Sequence, residues 1–220
     1  MLKFMDDPEM QNIEIVLPDE GISLQGCLTI PPGAKMIVVF AHGSGSGRLS
    51  PRNQYVAHFF NKRNLATLLL DLLTEKEGKV DESTRQYRFD IPLLARRLIG
   101  AQKWLKNNPS TQHLKVGLFG SSTGAAAALI AAAGSNAAAV VSRGGRTDLA
   151  DEVLSEVKAP TLFIVGALDF GVIELNEASF AKLNCEKKLE IVPHATHLFE
   201  EPGALEEVAR LAGEWFESHV

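Results

Sequence analysis

One short segment has the residue types and spacing of a serine nucleophile. It reads Gly120-Ser121-Ser122-Thr123-Gly124 and lies between an apolar run at residues 115–119 and an Ala-rich stretch that favours a helix. In a tight strand–turn–helix connection, the residues two before and two after the nucleophile must be small, because the backbone there approaches its neighbours closely. The two glycines therefore select Ser122. A small-residue turn that merely packs a helix against a strand is the alternative interpretation.

A serine hydroxyl reacts readily only when a base accepts its proton and a third group orients that base. In hydrolases with this type of turn, an acid and then a histidine follow the serine along the chain. Histidine occurs after Ser122 at His194, His197 and His219, and the first two follow the apolar run at residues 189–192. We favour His197 as the base, because apolar residues follow it directly and can hold its loop. His194 is the alternative.

Asp169 is the candidate acid. It comes shortly after the strand-like run at residues 161–165, where its carboxylate would reach a histidine on a neighbouring loop. Asp148 is the second choice, although its place before an apolar segment also suits a helix cap. A serine, an acid and a histidine in this order catalyse acyl transfer. This chemistry needs no metal and no organic cofactor, and the paired histidines lack the third ligand of a metal site.

Two backbone N–H groups are expected to bind the negative charge that develops on a substrate oxygen. The N–H of Thr123 is one, because it lies at the start of the predicted helix. The second should come from the loop after residues 36–41, which reads His42-Gly43-Ser44-Gly45-Ser46-Gly47. We favour the N–H of Ser44, with Gly43 second, and expect His42 and Gly43 to line the substrate site. A flexible loop or a phosphate-binding loop is the alternative, but the G-x-G-x-x-G spacing is absent.

Two arginines, Arg143 and Arg146, follow the strand-like run at residues 138–142. They should lie at the edge of the sheet where active sites open in this class of protein. A guanidinium binds a carboxylate with two parallel hydrogen bonds, so the pair could hold a substrate carboxylate. Surface charge or a structural ion pair is the alternative.

The segments that must position these residues alternate between strand-like and helix-like patterns. Such alternation predicts an α/β fold in three layers, with a mostly parallel sheet between helices. An antiparallel pair should open the sheet, since Pro18-Asp19-Glu20-Gly21 resembles a hairpin turn. Predicted strands are residues 13–17, 24–30, 36–41, 66–70, 115–119, 138–142, 161–165 and 189–192, and predicted helices are residues 53–61, 91–105, 123–133, 175–182 and 204–218.

Two connections bear on access to the site. The charged residues 72–89 are interpreted as a long loop, of a length that is often functional or mobile. Few residues separate the strand at 138–142 from a helix expected to begin at Leu149. That spacing leaves no room for a lid domain, so we expect an open, shallow site.

Size and charge limit the possible partners. A chain of 220 residues suits one domain over residues 1–220, and its net charge of -5 with no basic stripe argues against nucleic acid. We expect no signal peptide, membrane anchor or membrane contact, and the two cysteines suit a reducing cytoplasm. The expected partner is a small ester or lactone, and the expected state is a monomer or homodimer.

At five motifs the sequence resembles the dienelactone-hydrolase-like branch of the α/β-hydrolase superfamily, and the resemblance spans nearly the whole chain. The motifs lie at residues 42–48, 120–124, 142–146, 166–169 and 194–199. The resemblance implies an α/β-hydrolase fold and a compact hydrolase of esters or lactones, with Ser122, Asp169 and His197 as its triad. Dienelactone hydrolases carry cysteine where this chain has Ser122, which favours a general carboxylesterase.

Two other functions compete with hydrolysis. One is a catalytically silent binding protein on the same fold, and the other is an acyltransferase that uses an acceptor other than water. The complete triad in the expected order favours an enzyme over a silent protein.

Overall fold

A single sheet of eight strands organises residues 8–220, the part of the chain that the computed structural model describes. The strands are β1 Gln11–Leu17, β2 Ile22–Thr29, β3 Met36–Ala41, β4 Ala66–Leu70, β5 Lys115–Ser121, β6 Ala139–Arg143, β7 Thr161–Gly166 and β8 Lys187–Val192. Their order across the sheet is β1-β2-β4-β3-β5-β6-β7-β8. Strands β3 to β8 pair in parallel, whereas β2 is antiparallel to both β1 and β4.

Helices cover both faces of this sheet. They are α1 Pro51–Asn61, α2 Glu75–Thr84, α3 Ile91–Asn107, α4 Thr123–Ala133, α5 Phe170–Lys182 and α6 Ala204–Ser218, with 3-10 helices at Pro18–Glu20 and Thr147–Glu156. One core packs the sheet against α1 and α6, and a second packs it against α3, α4 and α5. Within residues 8–220, no helix combines the length and the apolar character needed to cross a membrane.

The predicted fold class is confirmed. The strands pair as a mostly parallel sheet with an antiparallel N-terminal pair, the helices form the two outer layers, and the short link after β6 holds no lid domain. The turn between β1 and β2 is the 3-10 helix Pro18–Glu20, which ends at Gly21 with φ 65°. A left-handed residue at this position suits glycine, which has no Cβ to clash.

The prediction that residues 72–89 form a loop was wrong, because α2 occupies Glu75–Thr84. Thr74 and Glu77 begin α2 with a capping box, in which each side chain accepts a hydrogen bond from the other residue's backbone N–H. The helix has no apolar stripe, and Asp81 is its only buried residue among those described. Hydrophobic periodicity therefore could not reveal α2, whereas the T-x-x-E cap could have.

Three helix starts also differ from prediction, and the first is α1, which begins at Pro51, two residues before the expected start. α5 begins at Phe170, five residues before the expected start. The segment expected to be a helix from Leu149 is the 3-10 helix Thr147–Glu156, and Asp148 lies inside its first turn without capping it.

The parallel strands place every candidate site residue at one edge of the sheet. Strands β3 to β8 run in the same direction, so their carboxyl ends lie side by side. The glycine loop at 42–47, the serine turn, the arginines and the loops with Asp169 and His197 all follow these ends.

Aromatic side chains form the core beneath this edge. Phe40, Phe60, Phe119 and Phe216 are buried, and the Phe60 and Phe216 rings meet edge to face at 5.7 Å between centroids. Edge-to-face pairs add to the free energy gained by burial alone. The cluster ties α1 and α6 to β3 and β5, which flank the serine turn.

Removing one of these rings tests the contribution of the cluster. We expect Phe216→Ala to lower the free energy of unfolding by about 3–5 kcal/mol, because it deletes a fully buried ring. Urea denaturation followed by circular dichroism measures the change. Phe89→Ala is the matched control, since Phe89 is 56% exposed and its truncation should cost no more than about 0.5 kcal/mol. Equal losses for the two variants would contradict the assignment.

Candidate active site

Ser122 sits at the tip of a sharp turn between β5 and α4. Its φ of 50° and ψ of -122° are unusual for a residue with a side chain. Such strain persists only where the surroundings enforce it. Here the Ser122 N–H donates to the carbonyl of Arg143 at 3.1 Å, and the Ser122 carbonyl accepts from the N–H of Arg146 at 3.0 Å. Two hydrogen bonds to the loop after β6 therefore hold the turn.

The two flanking glycines are required by close backbone contacts. A Cβ at Gly124 would lie 2.2 Å from the Ala41 carbonyl oxygen, and a Cβ at Gly120 would lie 2.4 Å from Cα of Ala125. Neither distance is compatible with a side chain, because the clashing atoms belong to the backbone. The spacing that selected Ser122 in the sequence thus has a steric cause in the fold.

His197 and Asp169 meet at the same edge. The Nδ1–H of His197 donates to Oδ2 of Asp169 at 2.6 Å. Asp169 stands at the N-terminus of α5, yet its side chain makes no capping bond there. A histidine that donates from Nδ1 keeps Nε2 as the acceptor, which is the arrangement needed for a general base.

The loop after β6 connects this pair with the serine. The ring of His197 packs on Gly144, where an added Cβ would lie 3.4 Å from Nδ1 and Cε1. Arg143, the preceding residue, accepts the hydrogen bond from the Ser122 N–H. Among residues 8–220, no hydrogen bond joins the Ser122 hydroxyl to His197. Catalytic hydrogen bonds are often long without substrate and tighten when it binds.

The alternative residues are engaged elsewhere or stand apart. His194 is exposed, and its φ of 62° shapes the turn after β8. Asp148 binds Arg146. Of the acids and bases considered from the sequence, the structure therefore brings together His197 and Asp169.

Two segments next to the serine contain backbone N–H groups without an acceptor in residues 8–220. Thr123 begins α4, so its N–H belongs to the first turn, which has no intrahelical acceptors. In the described part of the chain, the N–H groups of Gly43 and Ser44 also donate to no acceptor. A Cβ at Gly43 would lie 3.1 Å from Cβ of Ser122. Gly43 and Ser44 therefore both remain candidates for the second oxyanion donor, and Gly43 packs directly on the serine.

His42 uses both ring nitrogens in the protein. Nδ1–H donates to the carbonyl of Gly43 at 2.9 Å, and Nε2 accepts from the N–H of Leu72 at 3.1 Å. Burial lowers the pKa of His42 below its ordinary value of 6.5, against smaller opposing effects of Gly43 and Asp71. The side chain is therefore a neutral link between the glycine loop and the end of β4, with both ring nitrogens already hydrogen-bonded within the protein.

The two arginines differ in their surroundings. Arg146 forms two hydrogen bonds with Asp148, at 2.9 and 2.8 Å, and they raise its pKa. Arg143 is 8% exposed, and its Nη1 atom is buried with no hydrogen-bond partner in the described residues. Burial, and then the charge of Arg52, lower the pKa of Arg143 to about 10. Arg146 fits the ion-pair interpretation, whereas Arg143 is a buried cation without a carboxylate.

A cavity of about 930 Å³ adjoins the glycine loop. The glycine loop, the end of β4 and α2 form the walls of the cavity. The wall formed by α2 was not predicted, because residues 72–89 were interpreted as a loop. Ser122, Asp169 and His197 do not line the cavity, and Gly43 connects it to the serine. No three His, Cys, Asp or Glu side chains of residues 8–220 are grouped as metal ligands. Polar lining residues include His42, Ser44, Arg48, Asp71, Lys79, Asp81 and Arg88.

Residues 74–217 match the model of the Dienelactone hydrolase family. Relatives from two strains of Mycobacterium tuberculosis are each 51% identical to this chain over 216 residues, which is 97% of the chain. Both bear a provisional name as phosphoribosyl transferases. The chain spans 48% of the length of these relatives.

Solved structures agree on the fold. A dienelactone hydrolase from Anabaena variabilis is 55% identical with a TM-score of 0.95, and the match covers 97% of this chain and 99% of that one. Est1E from Butyrivibrio proteoclasticus has a TM-score of 0.79 at 15% identity, with 94% of this chain and 98% of that one covered. At that identity the similarity concerns the fold alone.

The environment of His42 predicts a pH dependence of stability. Because its pKa is lowered on folding, the unfolded chain binds a proton more readily, and the free energy of unfolding falls as pH decreases below about 6.5. We expect wild type to lose more stability between about pH 7.5 and about pH 5.5 than His42→Gln, whose amide oxygen can still accept from Leu72. Urea denaturation at both pH values measures the difference.

His113→Gln is the control, because His113 is exposed and should leave the wild-type pH dependence intact. If His42→Gln and wild type lost equal stability over this interval, the buried neutral state of His42 would be refuted.

Proposed function

Because the chain belongs to the dienelactone hydrolase family, we propose that it is a serine hydrolase that cleaves small carboxylic esters or lactones. The observation that carries the proposal is the hydrogen bond of 2.6 Å between His197 and Asp169, beside the strained turn at Ser122. A nucleophile after β5, an orienting acid after β7 and a base after β8 are the groups that acyl transfer requires. The reaction needs no cofactor.

In this proposal, Ser122 Oγ attacks the ester carbonyl while Nε2 of His197 takes its proton. Asp169 holds the ring so that Nε2 faces the serine, and it stabilises the charged imidazolium. The N–H of Thr123 and that of Ser44 or Gly43 hold the oxyanion. The tetrahedral intermediate then expels the alcohol, which receives the proton from His197. Water, activated by the same base, attacks the acyl-enzyme and releases the acid and Ser122.

The name of the mycobacterial relatives does not change this proposal. That name belongs to proteins of which this chain covers 48% of the length. The acid–base pair and the serine turn instead support chemistry at an acyl group.

Replacing the nucleophile tests the proposal directly. We expect Ser122→Ala to lower kcat for p-nitrophenyl acetate by at least about 10³-fold, because the covalent step is lost. His197→Gln and Asp169→Asn should also lower kcat for p-nitrophenyl acetate. Ser121→Ala is the matched control, since the neighbouring hydroxyl has no place in the proposed chemistry. A fluorophosphonate should phosphonylate Ser122 in wild type with release of fluoride, and the protein should gain the mass of the reagent less HF.

Each other result has a defined meaning. Equal turnover by wild type and Ser122→Ala would refute the hydrolase proposal and would favour a catalytically silent binding protein. Turnover that yields mainly a new ester when a competing alcohol is added would identify an acyltransferase.

We further propose that Arg143 binds an anionic group of the substrate, namely a carboxylate carried by the acyl group. Arg143 is the last residue of β6, the strand that pairs with β5, and its guanidinium has no carboxylate partner in the described residues. A buried cation without a counter-charge is costly, so a substrate carboxylate would gain strongly by pairing with it. Phe119, whose ring centre lies 6.0 Å from the guanidinium carbon, supports the group from one side.

A pair of matched substrates tests this proposal. We expect Arg143→Gln to lower kcat/KM for mono-p-nitrophenyl glutarate by about 10–100-fold, but to change kcat/KM for the neutral p-nitrophenyl valerate by less than about threefold. Arg146→Gln is the control, because Asp148 already occupies that guanidinium. Equal losses on the anionic and neutral esters would rule out a carboxylate site at Arg143.

A further inference from the structure

The loop at residues 42–48 carries one half of the proposed oxyanion site. Its N–H groups at Gly43 and Ser44 donate to no acceptor within residues 8–220, and Gly43 packs on Ser122. The position of the loop therefore sets the position of these donors relative to the substrate oxygen. A displacement of about 1 Å in such a donor is enough to lower a rate substantially.

The loop has little internal structure to fix that position. Gly43, Gly45 and Gly47 have no side chains, and Gly45 adopts a φ of 72°. Two backbone hydrogen bonds occur in the segment, from Ser46 to Gly43 at 3.2 Å and from Ser50 to Gly47 at 3.1 Å. Glycine-rich backbone loses much conformational entropy on ordering, so contacts from outside the loop must hold it.

Those outside contacts converge on two consecutive residues at the end of β4. At the start of the loop, the N–H of Leu72 donates to His42 at 3.1 Å. At its end, the N–H of Arg48 donates to Oδ1 of Asp71 at 2.6 Å, and the Arg48 guanidinium pairs with Oδ2 of the same carboxylate. One carboxylate thus holds both the backbone and the side chain of the residue that closes the loop.

Asp71 is itself fixed, and the loop is shaped to receive it. The Asp71 N–H donates to the carbonyl of Gln25 on β2 at 2.9 Å. A Cβ at Gly47 would lie 2.8 Å from Oδ1 of Asp71, so glycine there admits the carboxylate. These residues precede the part of the chain, 74–217, that matches the family model.

We infer that Asp71 is a positioning residue for the oxyanion site and acts through Arg48 on the N–H groups of Gly43 and Ser44. The inference rests on the proposed function. Asp71 does not touch the reacting atoms, so its removal should weaken stabilisation of the oxyanion more than binding of the ester. It therefore affects kcat and the affinity for tetrahedral adducts, with KM little changed.

The test compares Asp71→Ala, Asp71→Asn and Arg48→Ala with wild type on p-nitrophenyl acetate. Rates are divided by the concentration of Ser122 that a fluorophosphonate labels, so unfolded molecules do not count. We expect Asp71→Ala to lower kcat by about 30–100-fold with KM within about threefold. Asp71→Asn should lie between Asp71→Ala and wild type, because its amide oxygen can still accept from the N–H of Arg48. The inhibition constant of phenylboronic acid, a tetrahedral oxyanion mimic, should rise in the same order.

Glu217→Gln is the matched control. It breaks the ion pair that joins Arg63, just after α1, to Glu217 on α6. The exposure of this pair resembles that of Arg48 and Asp71. If Asp71→Ala and Asp71→Asn matched this control in kcat per labelled serine, with at most a lower melting temperature, the role of Asp71 would be structural only. Absence of Ser122-dependent turnover in wild type would instead refute the proposed function, and this inference with it.

Discussion

The backbone conformation of Ser122 is the constraint on which the site depends. A residue with a side chain holds a φ of 50° only when neighbouring groups enforce it. The enforcing groups come from the loop after β6, through hydrogen bonds, and from the end of β3, which contacts Gly124. The turn therefore requires the carboxyl ends of β3, β5 and β6 to lie side by side. Parallel pairing of adjacent strands meets that requirement, and it places the loops with Asp169 and His197 on the same edge.

Most of the architecture could be predicted from sequence because its cause is local in the chain. Strands buried on both faces are continuous apolar runs, and their ends were correct within about two residues for the parallel strands. The glycines around Ser122 were informative because their spacing about the serine is typical of this turn, although Gly124 is required by contact with Ala41, which is distant in sequence. The pairing of His197 with Asp169 followed from strand order along the chain.

Other features depend on contacts that no local pattern encodes. α2 buries no apolar residue, and it is held by ion pairs, among them Arg97 with Glu77 and Arg88 with Asp81. Hydrophobic periodicity is absent from such a helix. The sequence also could not distinguish Arg143 from Arg146, since only the fold shows that Arg143 is buried. No local pattern links Asp71 to the site either, although Asp71 holds the loop that packs on Ser122.

One consequence of the strand order concerns the far edge of the sheet rather than the site. β8 ends the sheet, so one side of its backbone has no neighbouring strand in residues 8–220. Its residues include Lys187, Lys188 and Glu190, of which Lys188 and Glu190 form an ion pair at 2.6 Å. Charged side chains on an edge strand oppose pairing with a strand from another molecule, because their charges would have to be desolvated. The same strand that delivers the histidine loop thus protects the protein against edge-to-edge aggregation.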